Sequence, residues 1–356
     1  SNTVGPSLAF ALSTLVLALL LELERRRIAT PTEGTSAVFL RIHTYGVQAV
    51  LLITLVISWP GIVPPLVDGI FLGGRAQAEN CIGSGQCPHA NLFLLALAGL
   101  WFVAAWLFYG WLTSRDSSRF LRFTLHGLGF AVGVGSFLAG LYTFFRVLLL
   151  LLFSKPVALS TVLGMYPQYN FVGLLTLGLL VIFIYHAWLQ AGVNQGRLPT
   201  HDSLRIIELA IISVLAAVTF WWGVGNLLYN TFTLLLKFPQ AADRDSWLSA
   251  SAFAIAGCVS IAIEFYLQHA NRSEPELAAG PRRAQVLALL AIGILTLSVA
   301  IATTLYIGLT TVLGSPIANW TQVLGFGLAT LLVGLPLAGF SLYTALNERQ
   351  FNQPAR

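Results

Sequence analysis

The sequence predicts an all-α integral membrane protein, and three observations lead to this fold class: the composition, a series of long apolar segments and an internal repeat. Of the 356 residues, 56% are hydrophobic and only 9% are charged, and the mean hydropathy is +0.79. Soluble domains carry about 25% charged residues. A chain with so few charges is therefore expected in a lipid bilayer.

Several apolar segments are long enough to cross a hydrocarbon layer, which takes about 20 residues in a helix. Lipid offers no hydrogen bonds to the backbone, so segments of this length satisfy their own N–H and C=O groups as helices. We therefore predict about nine transmembrane helices, at residues 6–24, 38–58, 91–113, 121–153, 168–191, 205–236, 246–268, 283–312 and 320–346.

An internal period of about 80 residues organises the chain. The copies begin alike, and their aligned arginines lie 81, 83 and 78 residues apart. A fixed period indicates one duplicated module, here a pair of helices, so the four tandem copies are parallel. The copies start with AVFLRIHTYG at Ala37, SRFLRFTLHG at Ser118, SLRIIELAII at Ser203 and PRRAQVLALL at Pro281, and the arginines are Arg41, Arg122, Arg205 and Arg283.

The period divides the chain into one leading helix, four repeats and a tail. The leading helix ends in LELERRR, and we interpret it as the second helix of a preceding, truncated repeat. Because the chain starts at Ser1, we expect that a segment was removed or that the chain begins late. The predicted boundaries are 1–30 for the leading helix, 37–116, 118–196, 203–273 and 281–348 for the repeats, and 349–356 for the tail.

The basic residues are distributed by topology. The formal charge is +5, but the arginines concentrate in alternate loops, near Arg25, Arg119, Arg197 and Arg282. The positive-inside rule then places the N-terminus outside and the C-terminus in the cytoplasm, in a bacterial inner membrane. This topology accounts for the basic balance without a nucleic-acid partner.

The first repeat has the longest outer loop. Trp59-Pro60-Gly61 predicts that its first helix stops or kinks, and that residues 62–72 lie along the outer interface with Asp68 towards water. Cys81 and Cys87 follow. An oxidising compartment favours a disulfide between them, with free thiols or a metal site completed by His89 as alternatives.

Two patterns concern helix packing. Each second helix carries a tyrosine one turn before its polar end, at a depth typical of an interface anchor: Tyr109, Tyr185, Tyr266 and Tyr343. Small residues permit close helix contacts in lipid, and we expect them to pack helices within the chain, with a dimer interface as the alternative: Gly127, Gly133, Gly135, Gly140 and Gly334.

Short motifs suggest a relationship. Gly334-Leu-Pro-Leu-Ala lies in the last repeat, Tyr185-His-Ala-Trp188 ends the second, and Tyr109-Gly-Trp111 keeps the tryptophan without the histidine. With these motifs the chain resembles a domain-of-unknown-function family of bacterial membrane proteins built from tandem two-helix repeats. The resemblance implies a fold and no activity.

Ionisable residues within membrane spans are functional candidates because each is costly to insert. Arg146 is the deepest cation, and headgroup or outer-loop contacts are its alternative to ion binding. Glu264 and Glu208 could relay protons, although both lie within reach of water at the helix ends. Asn226 is the best midplane polar candidate, together with Asn230.

His126 and His186 lie at matching depths in one repeat. Facing imidazoles with glycine nearby could ligate a haem or a pigment, whereas the alternative is hydrogen bonding to headgroups or backbone. We expect no cofactor, with haem, pigment or quinone as the exceptions to test.

No catalytic signature is present: the sequence has no Walker loop, dinucleotide fingerprint or His-Glu-x-x-His motif. We therefore predict a non-catalytic structural or accessory subunit that contacts membrane lipids and other membrane-protein subunits. The alternatives are a transporter or channel for a small solute or ion, and an electron-transfer subunit that carries haem, pigment or quinone.

Overall fold

The structure is a computed structural model that describes residues 35–84, 92–114, 118–154, 156–196, 201–236, 243–270, 279–314 and 320–351. All of its regular elements in these ranges are helices. They are α1 (Thr35–Phe71), α2 (Arg75–Ser84), α3 (Leu92–Ser114), α4 (Arg119–Phe153), α5 (Leu159–Val162), a 3₁₀ turn (Pro167–Tyr169), α6 (Phe171–Asn194), α7 (His201–Leu235), α8 (Arg244–Ala270), α9 (Ala279–Val312) and α10 (Trp320–Phe351).

Eight of these helices are long and apolar enough to cross a membrane. Their spans run over Arg41–Phe71, Ala96–Ser114, Phe120–Phe153, Phe171–Asn194, Leu204–Leu235, Arg244–Leu267, Gln285–Val312 and Trp320–Asn347. The prediction of an all-α, multi-pass membrane protein is thereby confirmed. The predicted leading helix at 1–30 lies outside the described residues.

The helices form two compact units. The first unit contains residues 1–147 and 154–199, and the second contains 148–153 and 200–356. In the first unit, α1 packs on α3 and α6, and α2 packs on α5. In the second unit, α7 packs on α8, α9 packs on α10, and α7 also contacts both α9 and α10.

Glycines bring the helices of each unit into close contact. In the first unit, a Cβ atom on Gly140 would lie 2.7 Å from the backbone nitrogen of Leu175 in α6. In the second, a Cβ on Gly293 of α9 would lie 2.7 Å from the backbone nitrogen of Ala338 in α10. In lipid, helices gain no hydrophobic free energy when they associate, so van der Waals packing at such contacts holds them together.

Of the two outcomes predicted at Pro60, a stop or a kink of α1, the stop is wrong. The helix continues through Pro60, Pro64 and Pro65 to Phe71. Prolines are tolerated in membrane helices because neighbouring helices compensate for the lost backbone bond. Here α6 approaches closely: a Cβ on Gly173 would lie 2.5 Å from the Cα of Pro60.

Asp68 does not face water as predicted but is fully buried. Gly73 and Gly74 adopt positive φ angles of 61° and 78° and turn the chain into α2. This turn brings the start of α2 to the carboxylate, which accepts hydrogen bonds from the backbone N–H groups of Ala76 at 3.0 Å and Gln77 at 2.9 Å. Asp68 therefore caps α2.

Candidate functional site

Six side chains from four helices meet in the first unit, and we call them the His126 cluster. All six are buried except Trp188, which is half-buried. They are Gln48 of α1, Trp106 and Thr113 of α3, His126 of α4, and Tyr185 and Trp188 of α6.

Helical spacing brings these residues to one place. Trp106 and Thr113 are seven residues apart, and Tyr185 and Trp188 are three apart, so each pair shares one face of its helix. Glycines make the room: a Cβ on Gly110 would collide with the Trp188 ring, and one on Gly129 would collide with the Tyr185 ring. Gly110 was not a sequence-based candidate for helix packing, whereas Gly129 belongs to the Gly127-Leu-Gly129 pattern of small residues in α4.

The Tyr185 hydroxyl is the central acceptor of the cluster. Trp106 Nε1 donates to it at 3.3 Å, and Gln48 Nε2 donates to it at 3.5 Å. A phenolic oxygen with two such donors still carries a proton of its own to give.

The hydrogen bonds of Thr113 determine which nitrogen of His126 carries a proton. The Thr113 hydroxyl donates to the Gly110 carbonyl at 2.9 Å, and its oxygen lies 3.4 Å from His126 Nε2. Because a hydroxyl has a single proton and its shorter contact is to the Gly110 carbonyl, we assign Nε2 of His126 as the donor to Thr113. In neutral imidazole, Nδ1 is then an acceptor.

Two acceptor atoms of the cluster are buried without a hydrogen-bond partner among the described residues: His126 Nδ1 and Gln48 Oε1. An unsatisfied buried polar atom costs about 1–3 kcal/mol. Arg122, one turn before His126 on α4, is also buried, with 1% of its surface exposed.

Aromatic rings enclose His126. Its imidazole lies 5.7 Å from the Tyr185 ring and 5.5 Å from the Trp188 ring, centroid to centroid, and Trp106 lies 5.5 Å from both Tyr185 and Trp188. These distances fall in the range for favourable aromatic pairs.

His186, the predicted partner of His126, occupies a different face of α6. The α6 side chains that contact His126 are Tyr185 and Trp188, and His186 is half-buried. A cofactor role for the two histidines stays a prediction. Sequence reasoning singled out His126, and Trp106 as part of an aromatic helix face, but missed Gln48 and Thr113, although the spacing of Trp106, Tyr109, Gly110 and Thr113 marks one helix face.

The second unit also buries polar groups: Glu208 in α7, and a set of three side chains, Ser213, Glu264 and Gln285, that we call the Glu264 cluster. Glu208 and Glu264 are 7% and 8% exposed, so neither carboxylate extends to water as the sequence suggested. Ser213 and Gln285 form side-chain hydrogen bonds with Glu264, and Gln285 also donates to Ser213. The cluster therefore joins α7, α8 and α9.

The predicted tyrosine anchors differ between the units. Tyr266 and Tyr343 are 71% and 65% exposed, as an interface anchor would be, whereas Tyr109 and Tyr185 are 3% and 2% exposed. The anchor prediction is wrong for the first unit, because its tyrosines face the other helices of that unit.

Arg146 and Asn226, two of the remaining polar candidates, contact groups that lie close to them in the fold. The Arg146 guanidinium carbon lies 4.9 Å from the centre of the Tyr169 ring, a cation–π contact with the segment between α5 and α6. Asn226 Nδ2 donates to the Trp222 carbonyl of its own helix at 2.8 Å. Asn230 is buried in α7.

The candidate glycines fall into two groups. A Cβ on Gly133 would lie 2.9 Å from the backbone nitrogen of Ile182, and one on Gly334 would lie 3.0 Å from Leu297; Gly140 makes the contact described above. By contrast, a Cβ on Gly127 or Gly135 would meet no atom of the described residues within 4 Å. These two glycines make no close helix contact among the described residues, and a role for them at a dimer interface stays a prediction.

Cys87 and His89 lie outside the described residues. The predicted Cys81–Cys87 disulfide and the alternative metal site with His89 therefore stay predictions. Among the residues that the structure describes, no group of three or more His, Cys, Asp or Glu side chains is placed to hold a metal ion.

Comparison with known proteins adds no relative: no family model, no curated protein and no solved structure matches the chain.

Proposed function

We propose that this protein is a non-catalytic structural or accessory subunit of a bacterial inner-membrane assembly, in which it binds lipids and partner helices. The observation that carries the proposal is the apolar surface of α9. Within its span, only 17% of the most apolar window is buried inside the chain, against 44% for α3.

The exposed side chains of α9 form a broad apolar stripe. They recur at intervals of three, four and seven residues, which places them on one side of a helix. Lipid tails cover such a surface as well as a protein does, so a partner helix must add close packing or hydrogen bonds. The stripe comprises Leu287, Ile294, Leu295, Val299, Ile301, Leu305, Tyr306 and Leu309.

The buried polar clusters support a scaffolding role. Glu264 is bound by side chains of two neighbouring helices of its unit, and Tyr185 is bound by two others of its own. Hydrogen bonds between helices hold a bundle together in lipid, at about 0.6 kcal/mol each on average. Groups used in this way fix helix positions.

We further infer that the two units arose from tandem two-helix repeats, as in the family that the chain resembles. Long and shorter spanning helices alternate: α1, α4, α7 and α9 have 37, 35, 35 and 34 residues, and α3, α6, α8 and α10 have 23, 24, 27 and 32. With the alternation of arginine-rich loops, this supports a cytoplasmic C-terminus.

A photo-crosslinking amino acid tests the proposal at two neighbouring positions of α9. Leu295 is 66% exposed, whereas Leu297 lies against Gly334 of α10 and serves as the matched control. In native membranes, we expect position 295 to form an adduct with one polypeptide in a fixed ratio, and position 297 to crosslink within the chain. Lipid adducts alone at position 295, and at exposed sites of α1, α4 and α7, would contradict the proposal.

A transporter is the second candidate, because two carboxylates are buried in membrane-spanning helices. Intramembrane acids often mark proton or cation pathways. Proton flux into proteoliposomes separates the two functions. The scaffold proposal expects the same leak for the native protein and for Glu264→Gln, whereas flux that this substitution abolishes would favour transport.

A further inference from the structure

We propose that the His126 cluster binds the hydroxyl-bearing ring of a lipid-soluble aromatic molecule of the quinol class. The proposal rests on two buried acceptors in one cluster, His126 Nδ1 and Gln48 Oε1, which find no donor among the described residues. His126 and Gln48 are 0% and 3% exposed, so bulk water does not reach them.

The missing partner is a hydrogen-bond donor. Thr113 fixes the proton of neutral His126 on Nε2, which leaves the Nδ1 lone pair to accept one. The Tyr185 hydroxyl accepts from both Trp106 and Gln48 and retains a proton to donate. A ligand hydroxyl meets both needs, since it donates to His126 or Gln48 and accepts from Tyr185. It also suits either orientation of the Gln48 amide.

The depth of the cluster selects a membrane-soluble ligand. Gln48 lies seven residues after the start of its span at Arg41, His126 lies six after Phe120, and Tyr185 lies nine before Asn194. At 1.5 Å per residue, these three positions are about 9–14 Å inside the ends of the spans, whereas Thr113, which contacts His126 Nε2, lies one residue before the end of its span at Ser114. A molecule that reaches this depth from the bilayer carries its polar group on an apolar body.

The aromatic rings select a flat ligand. Trp106, Tyr185 and Trp188 meet at centroid distances of 5.1–5.5 Å around His126. Aromatic side chains favour edge-to-face and offset contacts with another ring, each worth about 0.5–1.5 kcal/mol beyond the buried area. A phenolic ring can therefore gain ring–ring contacts here that an aliphatic alcohol cannot make.

Oxidation state provides the sharpest test. Quinol hydroxyls donate hydrogen bonds, whereas quinone carbonyls only accept them and leave both orphan acceptors unsatisfied. We would titrate the protein in lipid nanodiscs with duroquinol, duroquinone and durene by calorimetry under nitrogen, with empty nanodiscs as the partition blank. We expect duroquinol to bind at least about tenfold more tightly than duroquinone, the equivalent of about 1.4 kcal/mol, and durene to show no saturable binding.

Two variants assign the preference to its atoms. His126→Phe keeps a ring and removes Nδ1, and Gln48→Leu keeps the volume and removes Oε1. Each should bring the ratio of the affinities for duroquinol and duroquinone down towards one. Tyr266→Phe is the matched control, because it alters an exposed tyrosine at the aligned position of the second unit and should retain the full preference.

Several outcomes would overturn the proposal. Equal affinity of the native protein for duroquinol and duroquinone would do so, and so would saturable binding of neither, and these results stand even if both cluster variants fail to fold. Density for an ordered water on both acceptors in a structure with excess duroquinol, without the ring, would show that water is the donor.

Discussion

The two units bury different polar groups between similarly paired helices. The first unit buries Arg122 and encloses His126 among tryptophan and tyrosine rings. The second buries Glu208, and it buries Glu264 beside a serine and a glutamine; the tyrosines that the sequence repeat aligns are exposed there. Tyrosines that the sequence period aligns therefore face inwards in one unit and outwards in the other.

This comparison separates the contacts that hold the helices together in both units from the buried polar groups that differ between them. Close glycine contacts occur in both, at Gly133 against Ile182 and at Gly257 against Phe220, whereas the His126 cluster and the Glu264 cluster share no hydrogen-bond pattern. Packing of small residues is thus the common element. The buried polar groups are where specific functions can diverge.

The largest expected effect tests the common element. Gly133→Leu should destabilise the first unit by about 1–3 kcal/mol or more, because overpacking forces backbone shifts at a contact of 2.9 Å. Gly135→Leu, two residues away in open space, is the control. Thermal unfolding followed by size-exclusion chromatography should separate them; equal melting temperatures would contradict the packing described.

The next largest effect is expected in the second unit, when the carboxylate of Glu264 is removed. Glu264→Ala leaves Ser213 and Gln285 without their acceptor, which we expect to destabilise the unit by about 1–3 kcal/mol. Glu264→Gln keeps an acceptor and should recover most of the loss in a denaturant titration in micelles. A Glu264→Ala protein as stable as the native one would mean that the cluster does not tie α7, α8 and α9 together.

The aligned tyrosines should respond unequally to the same substitution. Tyr185→Phe removes the acceptor for Trp106 and Gln48 and should lower the free energy of unfolding by about 1 kcal/mol. Tyr343→Phe alters an exposed side chain and should stay within about 0.5 kcal/mol of the native value. Equal losses at both positions would remove the distinction between the units.

The smallest effect concerns two helix caps. Asp243 accepts hydrogen bonds from the backbone N–H and the hydroxyl of Ser246 at 2.8 and 2.5 Å, and these bonds lower the pKa of its carboxyl. Its stabilisation of α8 is therefore present above the unfolded pKa and is lost as the pH falls through the folded pKa.

Asp243→Asn should accordingly flatten the acid limb of a melting curve measured against pH. Ser118 provides the contrast in the first unit, since its hydroxyl accepts from the Leu121 N–H at 3.5 Å and does not titrate. Ser118→Ala should therefore shift the whole curve without changing its shape. An unchanged acid limb in Asp243→Asn would contradict the assignment of this cap.

The helices were predictable from the sequence because their apolar segments leave the backbone no alternative in lipid. The continuation of α1 was not, since it depends on Gly173 of α6 packing against Pro60, a contact distant in sequence. Likewise, Glu264 and Asp68 looked water-exposed from their positions near helix ends. Their burial follows from Gln285 on a neighbouring helix and from the turn at Gly73 and Gly74.

His126 was predictable as a candidate because an imidazole in an apolar span is rare, but its neighbours were not. They come from three other helices, and Gly110 and Gly129 admit the rings that surround it. The sequence alone does not indicate which face of α6 packs against α4. The structure places Tyr185 and Trp188 there.

The most direct test of the proposed accessory role is mild-detergent purification from native membranes, with native mass spectrometry and an absorption spectrum on the same fraction. We predict co-purifying subunits in a fixed ratio, lost when Leu295→Arg places a charge on the exposed stripe of α9, and no visible chromophore on this chain. A lone, colourless homo-oligomer that Leu295→Arg leaves unchanged would contradict the account.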